Sequence, residues 1–147
     1  MFKGSMVALV TPMHDNGDID EVSFCELIEW HITAQTQALI IAGTTGESAT
    51  LTLQEQVNLM KKAVDCSAGR IPIIAGTGSN ATHHAIELTS LAKKAGATAC
   101  LIVTPYYNKP TQSGLFAHYQ AIASKVMIPI ILYNVPVAQR VISCLTL

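Results

Sequence analysis

The sequence predicts an α/β fold in which strand-helix units repeat around a parallel sheet. The first observation is that short apolar runs alternate with longer segments of helical hydrophobic spacing, with a period of about thirty residues. The second is that polar segments follow the second, third, fourth and fifth apolar runs alike. A doubly wound sheet concentrates its ligand groups at one switch point, so this distribution favours an eight-stranded barrel, although the order of elements fits both arrangements.

Five apolar runs predict the strands. Each is short, rich in Ile, Leu, Val or Ala, and bounded by polar or turn-forming residues. The predicted strands are residues 6–11, 38–42, 71–75, 98–103 and 129–133. The sequence Asp-Asn-Gly-Asp at residues 15–18 predicts a turn between the first strand and the first helix.

Four segments between the strands show the apolar spacing of helices with one buried face. The predicted helices are residues 22–35, 52–67, 80–96 and 113–125. The second has the clearest beginning, because Thr52 is followed by Glu55 at the spacing of a capping box. Gly69 ends this helix, and Gly96 ends the next one.

The composition predicts a single domain whose partner is a small molecule. Of the 147 residues 50% are hydrophobic, which is ample for a core, and the formal net charge is −1. The lysines are dispersed along the chain, so binding to nucleic acid or to an anionic membrane is not expected. The apolar stretch at residues 6–10 is too short for a signal sequence or a membrane span, and a cytoplasmic location is expected.

The cysteines and histidines do not form a ligand pattern. Cys25, Cys66, Cys100 and Cys144 lack CxxC spacing, and they are expected to be reduced residues that serve packing. No histidine has a carboxylate or cysteine at ligand spacing, so neither a metal nor a cofactor is expected. His118 is expected on the surface of a helix or partly buried.

Two glycine loops follow predicted strands, and neither is a nucleotide fingerprint. Residues 76–80 (Gly-Thr-Gly-Ser-Asn) lack the third glycine of G-x-G-x-x-G, and residues 43–48 (Gly-Thr-Thr-Gly-Glu-Ser) lack the Lys-Ser/Thr pair of a P-loop. Residues 76–80 are equally consistent with a tight turn and with a ligand site. In residues 43–48, Thr44 and Thr45 lie at the expected barrel mouth, where hydroxyl and backbone N–H groups bind small carboxylates.

Tyrosines stand at the ends of two predicted strands. Tyr107 and Tyr133 are each followed by an asparagine, Asn108 and Asn134. A hydrogen-bonded Tyr-Thr-Tyr relay could pass protons without a metal or cofactor. The alternative is a pair of core tyrosines with satisfied hydroxyl groups.

These segments together resemble the pyruvate-dependent class I aldolases, a family that includes dihydrodipicolinate synthase (4-hydroxy-tetrahydrodipicolinate synthase) and N-acetylneuraminate lyase. The resemblance covers residues 1–136 in register and rests on six segments. They are residues 2–5 (Phe-Lys-Gly-Ser), 10–13 (Val-Thr-Pro-Met), 43–48, 74–78 (Ile-Ala-Gly-Thr-Gly), 104–108 (Thr-Pro-Tyr-Tyr-Asn) and 133–136 (Tyr-Asn-Val-Pro). The two tyrosine segments favour the synthase over the sister lyases, which share the glycine loop.

The resemblance implies a (β/α)8 TIM barrel and a lysine Schiff-base reaction that needs no cofactor. Pyruvate would bind a lysine at the end of strand six, and the enamine would attack aspartate 4-semialdehyde to give 4-hydroxy-tetrahydrodipicolinate for lysine and diaminopimelate biosynthesis. Thr45 would hold the pyruvate carboxylate and Tyr133 would donate and accept protons. Thr44 would link Tyr133 to Tyr107, which reaches into a neighbouring subunit of a homotetramer, a dimer of dimers.

The resemblance also implies an effector site, where lysine-sensitive members of the family bind free lysine. Ser48, Ala49, Asn80 and Tyr106 match the family at this site. Two histidines and a glutamate of sensitive members are replaced by Leu53, Gln56 and His84. Without that glutamate the ammonium of lysine lacks its partner, and inhibition by lysine is expected to be weak.

The sequence departs from the family after residue 136. Ala138 occupies the position of an arginine that receives the aldehyde substrate, Arg140 lies two places out of register, and a sixth strand with the Schiff-base lysine is absent. We therefore expect a barrel truncated after about strand five, with residues 1–136 its N-terminal part and residues 137–147 an out-of-frame tail. The product would be inactive, and the alternative function is that of a non-catalytic remnant. Reading the gene for a frame restored by one nucleotide tests the frameshift.

A barrel that stops at strand five is also expected to be poorly soluble by itself. Inward side chains of the five strands would lack the partners that the other strands supply, and both edges of the sheet would be unpaired. The sequence therefore predicts aggregation or a molten species, unless self-association or a second chain covers the exposed surface.

Overall fold

The structure is a computed structural model that describes residues 2–135. Strands and helices alternate along this part of the chain, and every predicted element is present with small shifts at its ends. The strands are β1 (Met6–Ala8), β2 (Ala38–Ile41), β3 (Ile73–Gly76), β4 (Ala99–Val103) and β5 (Ile130–Tyr133). The helices are α1 (Glu21–Thr33), α2 (Leu53–Ser67), α3 (Thr82–Lys94) and α4 (Gln112–Lys125). The predicted tail 137–147, with Ala138 and Arg140, lies outside the described residues.

The five strands form one parallel sheet in the order β1-β2-β3-β4-β5. Each strand pairs with the next one in the chain, for example Ile40 with Ile74 and Leu101 with Ile131. In a doubly wound sheet the order of the strands would reverse at a switch point. When the strands follow one another in sequential order with right-handed crossovers, all helices lie on one face of the sheet. The fold is therefore part of a (β/α)8 barrel, and the barrel prediction is confirmed.

The core lies between the sheet and its helices. Alternate residues of a strand point to opposite faces, so Leu39 and Ile41 of β2 pack beneath the helices with Phe24 and Met60. The opposite, concave face carries a smaller cluster of Ala38, Ile74 and Ala99, packed against Phe2, Ile40, Leu101 and Ile131. The side chains of Ile40, Leu101 and Ile131 remain partly exposed, since the concave face has no further layer in the described part of the chain.

Capping groups set the beginnings of α1 and α2. The Asp20 carboxylate accepts hydrogen bonds from the backbone N–H groups of Val22 and Ser23 at 3.1 and 3.0 Å. The predicted capping box of α2 is confirmed, because Thr52 and Glu55 each bond the other's backbone N–H, at 3.3 and 2.7 Å. These bonds satisfy donors that the first turn of a helix leaves unpaired.

Strand β1 is shorter than the predicted range of 6–11. The Leu9 N–H still donates to the Ile40 carbonyl at 2.9 Å, but the chain then leaves the sheet. Thr11 instead donates from its hydroxyl to the Gly46 carbonyl at 2.8 Å. A tertiary contact with the loop after β2 therefore ends the strand, and local propensity could not reveal it.

The prediction that all cysteines are reduced is wrong for Cys25 and Cys66, which form a disulfide between α1 and α2. The two helices pack side by side and bring the Cα atoms to 5.8 Å, although the residues lie 41 positions apart in the sequence. Local spacing carries no signal for such a pairing. Cys100 is a free, buried thiol as expected, and Cys144 lies outside the described residues.

No helix of residues 2–135 is both long and apolar enough to cross a membrane.

Candidate active site

The polar segments that follow β2, β3, β4 and β5 meet at the carboxyl end of the sheet. A small pocket of about 30 Å³ lies there, and Thr44 and Tyr133 contribute to its wall. Its other lining residues are Ala42, Gly43, Ser48, Gly76, Gly78, Leu101 and Val103. The structure thus places Thr44 of the loop after β2 and Tyr133 at the end of β5 on the wall of one pocket, and the relay between their hydroxyl groups stays a prediction.

Close backbone approach shapes this pocket. Ala42 adopts φ +53°, in the left-handed region that costs a residue with a side chain on the order of 1 kcal/mol. Its carbonyl then lies so near Gly76 that a Cβ atom at position 76 would clash with it. A Cβ atom at position 78 would likewise clash with the backbone of Val103. Gly76 at the end of β3 and Gly78 just after it therefore allow neighbouring strand ends to meet.

The loop at residues 43–48 is held by its own backbone. Two of its N–H groups, those of Gly46 and Ser48, donate to the Gly43 carbonyl at 3.1 and 3.3 Å. Thr44 and Thr45 are both exposed at the surface of the loop. Thr44 lines the small pocket, whereas Thr45 lines neither that pocket nor the larger cleft described below.

The segment after β4 supports the end of β5. Thr104 is 1% exposed, and its N–H donates to the Tyr133 carbonyl at 2.9 Å. Its hydroxyl lies 3.4 Å from the Asn134 side-chain oxygen, near the long limit of a hydrogen bond. Tyr133 itself is half-buried. A buried threonine thus positions the strand end that carries this tyrosine.

Tyr107 lies apart from the other two members of the predicted relay. Its side chain is 91% exposed and its φ is +71°. Within residues 2–135 no hydrogen bond joins it to Thr44 or Tyr133. Tyr107 is therefore not a core tyrosine, which was the alternative to the relay. A complete relay is not assembled within the described part of one chain.

A larger cleft of about 500 Å³ lies beside the pocket, between the loop after β2 and the beginning of α3. Three of the four matching effector positions line it: Ser48, Ala49 and Tyr106. Asn80 is absent from its wall, but its carbonyl accepts a hydrogen bond from the Asn108 side chain at 2.9 Å. The remaining lining residues are Thr44, Glu47, Leu53, Gln56, Gly78, Ser79, His84, Glu87, Leu88 and Val103.

Sequence reasoning missed two carboxylates of this cleft, Glu47 and Glu87. Glu87 follows His84 at the i, i+3 spacing that places two residues on one face of a helix, so helical periodicity could have identified it. Glu47 has φ +56°, and the resulting turn places it on the wall of the cleft. Local spacing gives no comparable signal for Glu47.

Thr77, the second residue of the loop at residues 76–80, packs inside the core. Thr77 is fully buried, and the Thr89 hydroxyl donates to the Thr77 hydroxyl at 2.9 Å. Burial raises the pKa of the neighbouring Cys100 thiol to about 11, although a hydrogen bond with Thr77 opposes the rise. A protonated, inert thiol and two threonines thus form a polar cluster inside the core, which favours the tight-turn alternative for this loop.

The lysines of the described residues do not offer a Schiff-base amine at the site. None of them lines the pocket or the cleft. All are exposed except Lys62, which is partly exposed and pairs with Glu21 at 2.7 Å. Schiff-base lysines depend on desolvation or a nearby cation to lower their pKa, and these positions lack that desolvation.

Comparison with known proteins places the chain in a family. The model of the dihydrodipicolinate synthetase family matches residues 1–144. The chain belongs to this family. It is 61% identical over 136 residues to a 4-hydroxy-tetrahydrodipicolinate synthase of Acidithiobacillus ferrooxidans, a match that covers 92% of this chain and 47% of the relative. The chain thus spans about half the length of the curated relatives it matches.

Solved structures of the family have the same fold. The dihydrodipicolinate synthase of Acinetobacter baumannii, described as chloride-inhibited and complexed with pyruvate, superimposes with a TM-score of 0.95 at 52% identity, covering 96% of this chain and 48% of that chain. An enzyme from Cyanidioschyzon merolae with lysine bound superimposes with a TM-score of 0.92 at 42% identity, covering 95% of this chain and 48% of that one. The resemblance inferred from the motifs is therefore confirmed.

Proposed function

We propose that this chain supplies the N-terminal half of a 4-hydroxy-tetrahydrodipicolinate synthase site. The reaction would condense pyruvate with aspartate 4-semialdehyde through a lysine Schiff base, in lysine and diaminopimelate biosynthesis. The observation that carries the proposal is the shared pocket of Thr44 and Tyr133 at the carboxyl end of the sheet. The 61% identity to a relative of that name supports the choice of reaction over that of the sister lyases.

The proposed roles follow from the positions of the hydroxyl groups. Tyr133 would donate and accept protons during imine formation and enamine attack, and its place on the wall of the pocket supports this role. Thr44 would relay those protons, and Thr45 would hold the pyruvate carboxylate on the exposed side of its loop. The exposed side chain of Tyr107 suits a contact across the subunit interface of a homotetramer.

We also propose the cleft as an effector site for an amino acid. Ser48, Ala49 and Tyr106 line it, and the family includes an enzyme solved with lysine bound. Asn80 would complete the set beside Asn108. Binding of lysine is expected to be weak, because His84 stands where sensitive members have a glutamate.

The 147-residue chain by itself is proposed not to form the Schiff base. The reason lies in the described lysines, which are solvated and remote from the pocket. A catalytic chain and a non-catalytic remnant are thus distinguished by one chemical property, the presence of a reactive lysine.

Borohydride trapping tests this proposal. Incubation of the chain with pyruvate and borohydride should leave no adduct by mass spectrometry. A second chain that carries the C-terminal half of the Acidithiobacillus relative can be added, and we call the resulting pair the reconstituted barrel. In this pair pyruvate and borohydride should leave an adduct on the added half. In it, Tyr133→Phe should lower the condensation rate by about two orders of magnitude, since a positioned proton donor contributes 10²–10⁴-fold.

Two outcomes would contradict the proposal. An adduct on the isolated chain, for example at Lys109, would show that a reactive amine is present after all. A reconstituted barrel that traps pyruvate but condenses it equally well with Tyr133→Phe would remove the role of this tyrosine. Tyr119→Phe, in a helix away from the pocket, provides the matched control.

A further inference from the structure

Three links join α1 to the end of α2 and the residues after it. The links are Glu21 with Lys62, Cys25 with Cys66, and Glu29 with Arg70. Successive partners lie four residues apart on both segments, so the links form a straight ladder between neighbouring helix faces. The disulfide is its middle rung, and an ion pair lies on each side.

The outer rungs are contacts between charged side chains that do not involve the sulfur atoms. Lys62 contacts the Glu21 carboxylate at 2.7 Å. Arg70 contacts both carboxylate oxygens of Glu29, at 2.9 and 2.7 Å, in the two-pronged geometry that is strongest for this pair. We expect these contacts to keep the reduced thiols opposite each other, which raises their effective concentration.

One cation contacts Cys66 directly, because Arg70 donates from its guanidinium to the Cys66 carbonyl at 3.0 Å. The carboxylates of Glu21 and Glu29 are each paired with a cation, Lys62 and Arg70 respectively. A nearby cation stabilises a thiolate, so we expect Cys66 to be the better nucleophile. Both cysteines are half-buried, so a small reagent can reach them.

We propose that Cys25 and Cys66 form a reversible modification site that reacts with low-molecular-weight disulfides. The Cys66 thiolate attacks the reagent, forms a mixed disulfide and releases one thiol. The Cys25 thiolate then attacks the Cys66 sulfur, closes the intramolecular bond and releases the second thiol. In total two protein thiols are oxidised, one disulfide is reduced to two thiols, and the two protons pass to these products.

The disulfide lies in the outer, helical layer of the fold. Cys66 lies near the end of α2, whereas Leu53 at its beginning lines the cleft. Gln56 is the cleft residue of this helix nearest to Cys66, and a helix rises about 1.5 Å per residue, which places the disulfide about 15 Å from the cleft along the helix. The bond cross-links the first strand-helix unit to the second without touching Thr44 or Tyr133.

Peptide mapping of the reconstituted barrel tests the site, because this pair is the form in which a native fold is expected. The reduced chain is equilibrated with reduced and oxidised glutathione, and free thiols are alkylated before digestion. In native buffer the Cys25–Cys66 peptide should exceed every other pair by about tenfold, because the fold presents these thiols to each other. Addition of excess dithiothreitol should return both thiols.

The same experiment in concentrated urea provides the control. An unfolded chain favours the shorter loop between Cys66 and Cys100, since loop closure is governed by length alone. The preference for Cys25–Cys66 should therefore disappear in urea. A mixture of pairs in both conditions, or two alkylated thiols under oxidising conditions, would overturn the proposal.

Substitutions test the ladder. Glu29→Gln should lower the equilibrium yield of the disulfide about two- to fivefold, the range expected for an exposed ion pair. Glu26→Gln makes the same chemical change on α1 at a residue without an ion pair among residues 2–135, and it should leave the yield unchanged. Equal losses for the two variants would contradict the role of the outer rungs.

Single-cysteine variants test the order of attack. With Cys25→Ser, the mixed disulfide at Cys66 should form at least about threefold faster than the one at Cys25 does with Cys66→Ser, because Arg70 contacts Cys66. Equal rates, or a faster Cys25, would overturn this order.

Discussion

Single residues of the cleft determine which effector charge it can bind. Glu47, Glu87 and His84 all line it. From the resemblance, the sequence predicts that His84 replaces a glutamate of lysine-sensitive members, and the weak inhibition expected from this loss stays a prediction. The sequence did not reveal that Glu87 lines the same wall, and Glu87 is the residue available to replace that partner in part.

We expect His84→Glu to strengthen inhibition by lysine. A charge-assisted hydrogen bond to the ammonium contributes about 1.5–3 kcal/mol, which corresponds to roughly a ten- to hundredfold lower inhibitory concentration. The measurement is the lysine dependence of condensation by the reconstituted barrel. His83→Glu is the matched control, because it adds the same charge one residue away at a position outside the wall of the cleft. Equal effects of the two variants would indicate a general charge effect.

At the scale of elements, α3 and α4 meet around a buried histidine. His118 is 5% exposed, and its Nδ1 atom lies 2.9 Å from the Thr82 hydroxyl at the beginning of α3. Its Nε2 atom is buried without a hydrogen-bond partner among residues 2–135. Burial lowers the pKa of His118 because the charged ring would lose its hydration. The sequence predicted a surface or partly buried residue, and the packing of two helices decided its full burial.

We expect protonation of His118 to lower the stability of the folded state in weak acid. Its pKa is lower in the folded state than the value of about 6.5 expected in the unfolded chain, so the unfolded state binds more protons below that pH. Its contribution to stability is present above about pH 6.5 and is lost as the pH falls below it. The free energy of unfolding of the reconstituted barrel, measured with urea, should therefore be lower at pH 5.5 than at pH 7.5.

The His118→Asn variant separates this effect from those of other groups. It should have a smaller difference between the two pH values than the original sequence, whereas His83→Asn, at an exposed position, should retain the full difference. An unchanged pH difference in His118→Asn would show that protonation of this ring does not destabilise the fold.

At the scale of the whole molecule, five strands form a curved sheet with one covered face. The helix side of the sheet is closely packed, and Ile40, Leu101 and Ile131 on the concave side remain partly exposed. In residues 2–135, β1 and β5 each pair with one neighbour. Partly exposed apolar surface and unpaired backbone groups favour association with other chains.

We predict that the isolated 147-residue chain binds the dye ANS and lacks a cooperative thermal transition. Both properties follow from a concave face that no further strand of residues 2–135 covers. Reconstitution with the C-terminal half should lower ANS fluorescence and produce a cooperative transition. A monodisperse isolated monomer with a sharp transition would contradict the prediction, and sedimentation velocity measures that state directly.

The sequence by itself determined the order of strands and helices, the capping box at Thr52 and Glu55, the loop that carries Thr44 and the strand that ends at Tyr133. These features depend on interactions among residues close in sequence, which hydrophobic period and turn chemistry report. Only the tertiary structure decided that Thr44 and Tyr133 line one pocket while Tyr107 lies outside it, and that Cys25 meets Cys66. Such contacts join residues far apart in sequence, and their distances are set by how strands and helices pack, which no local pattern encodes.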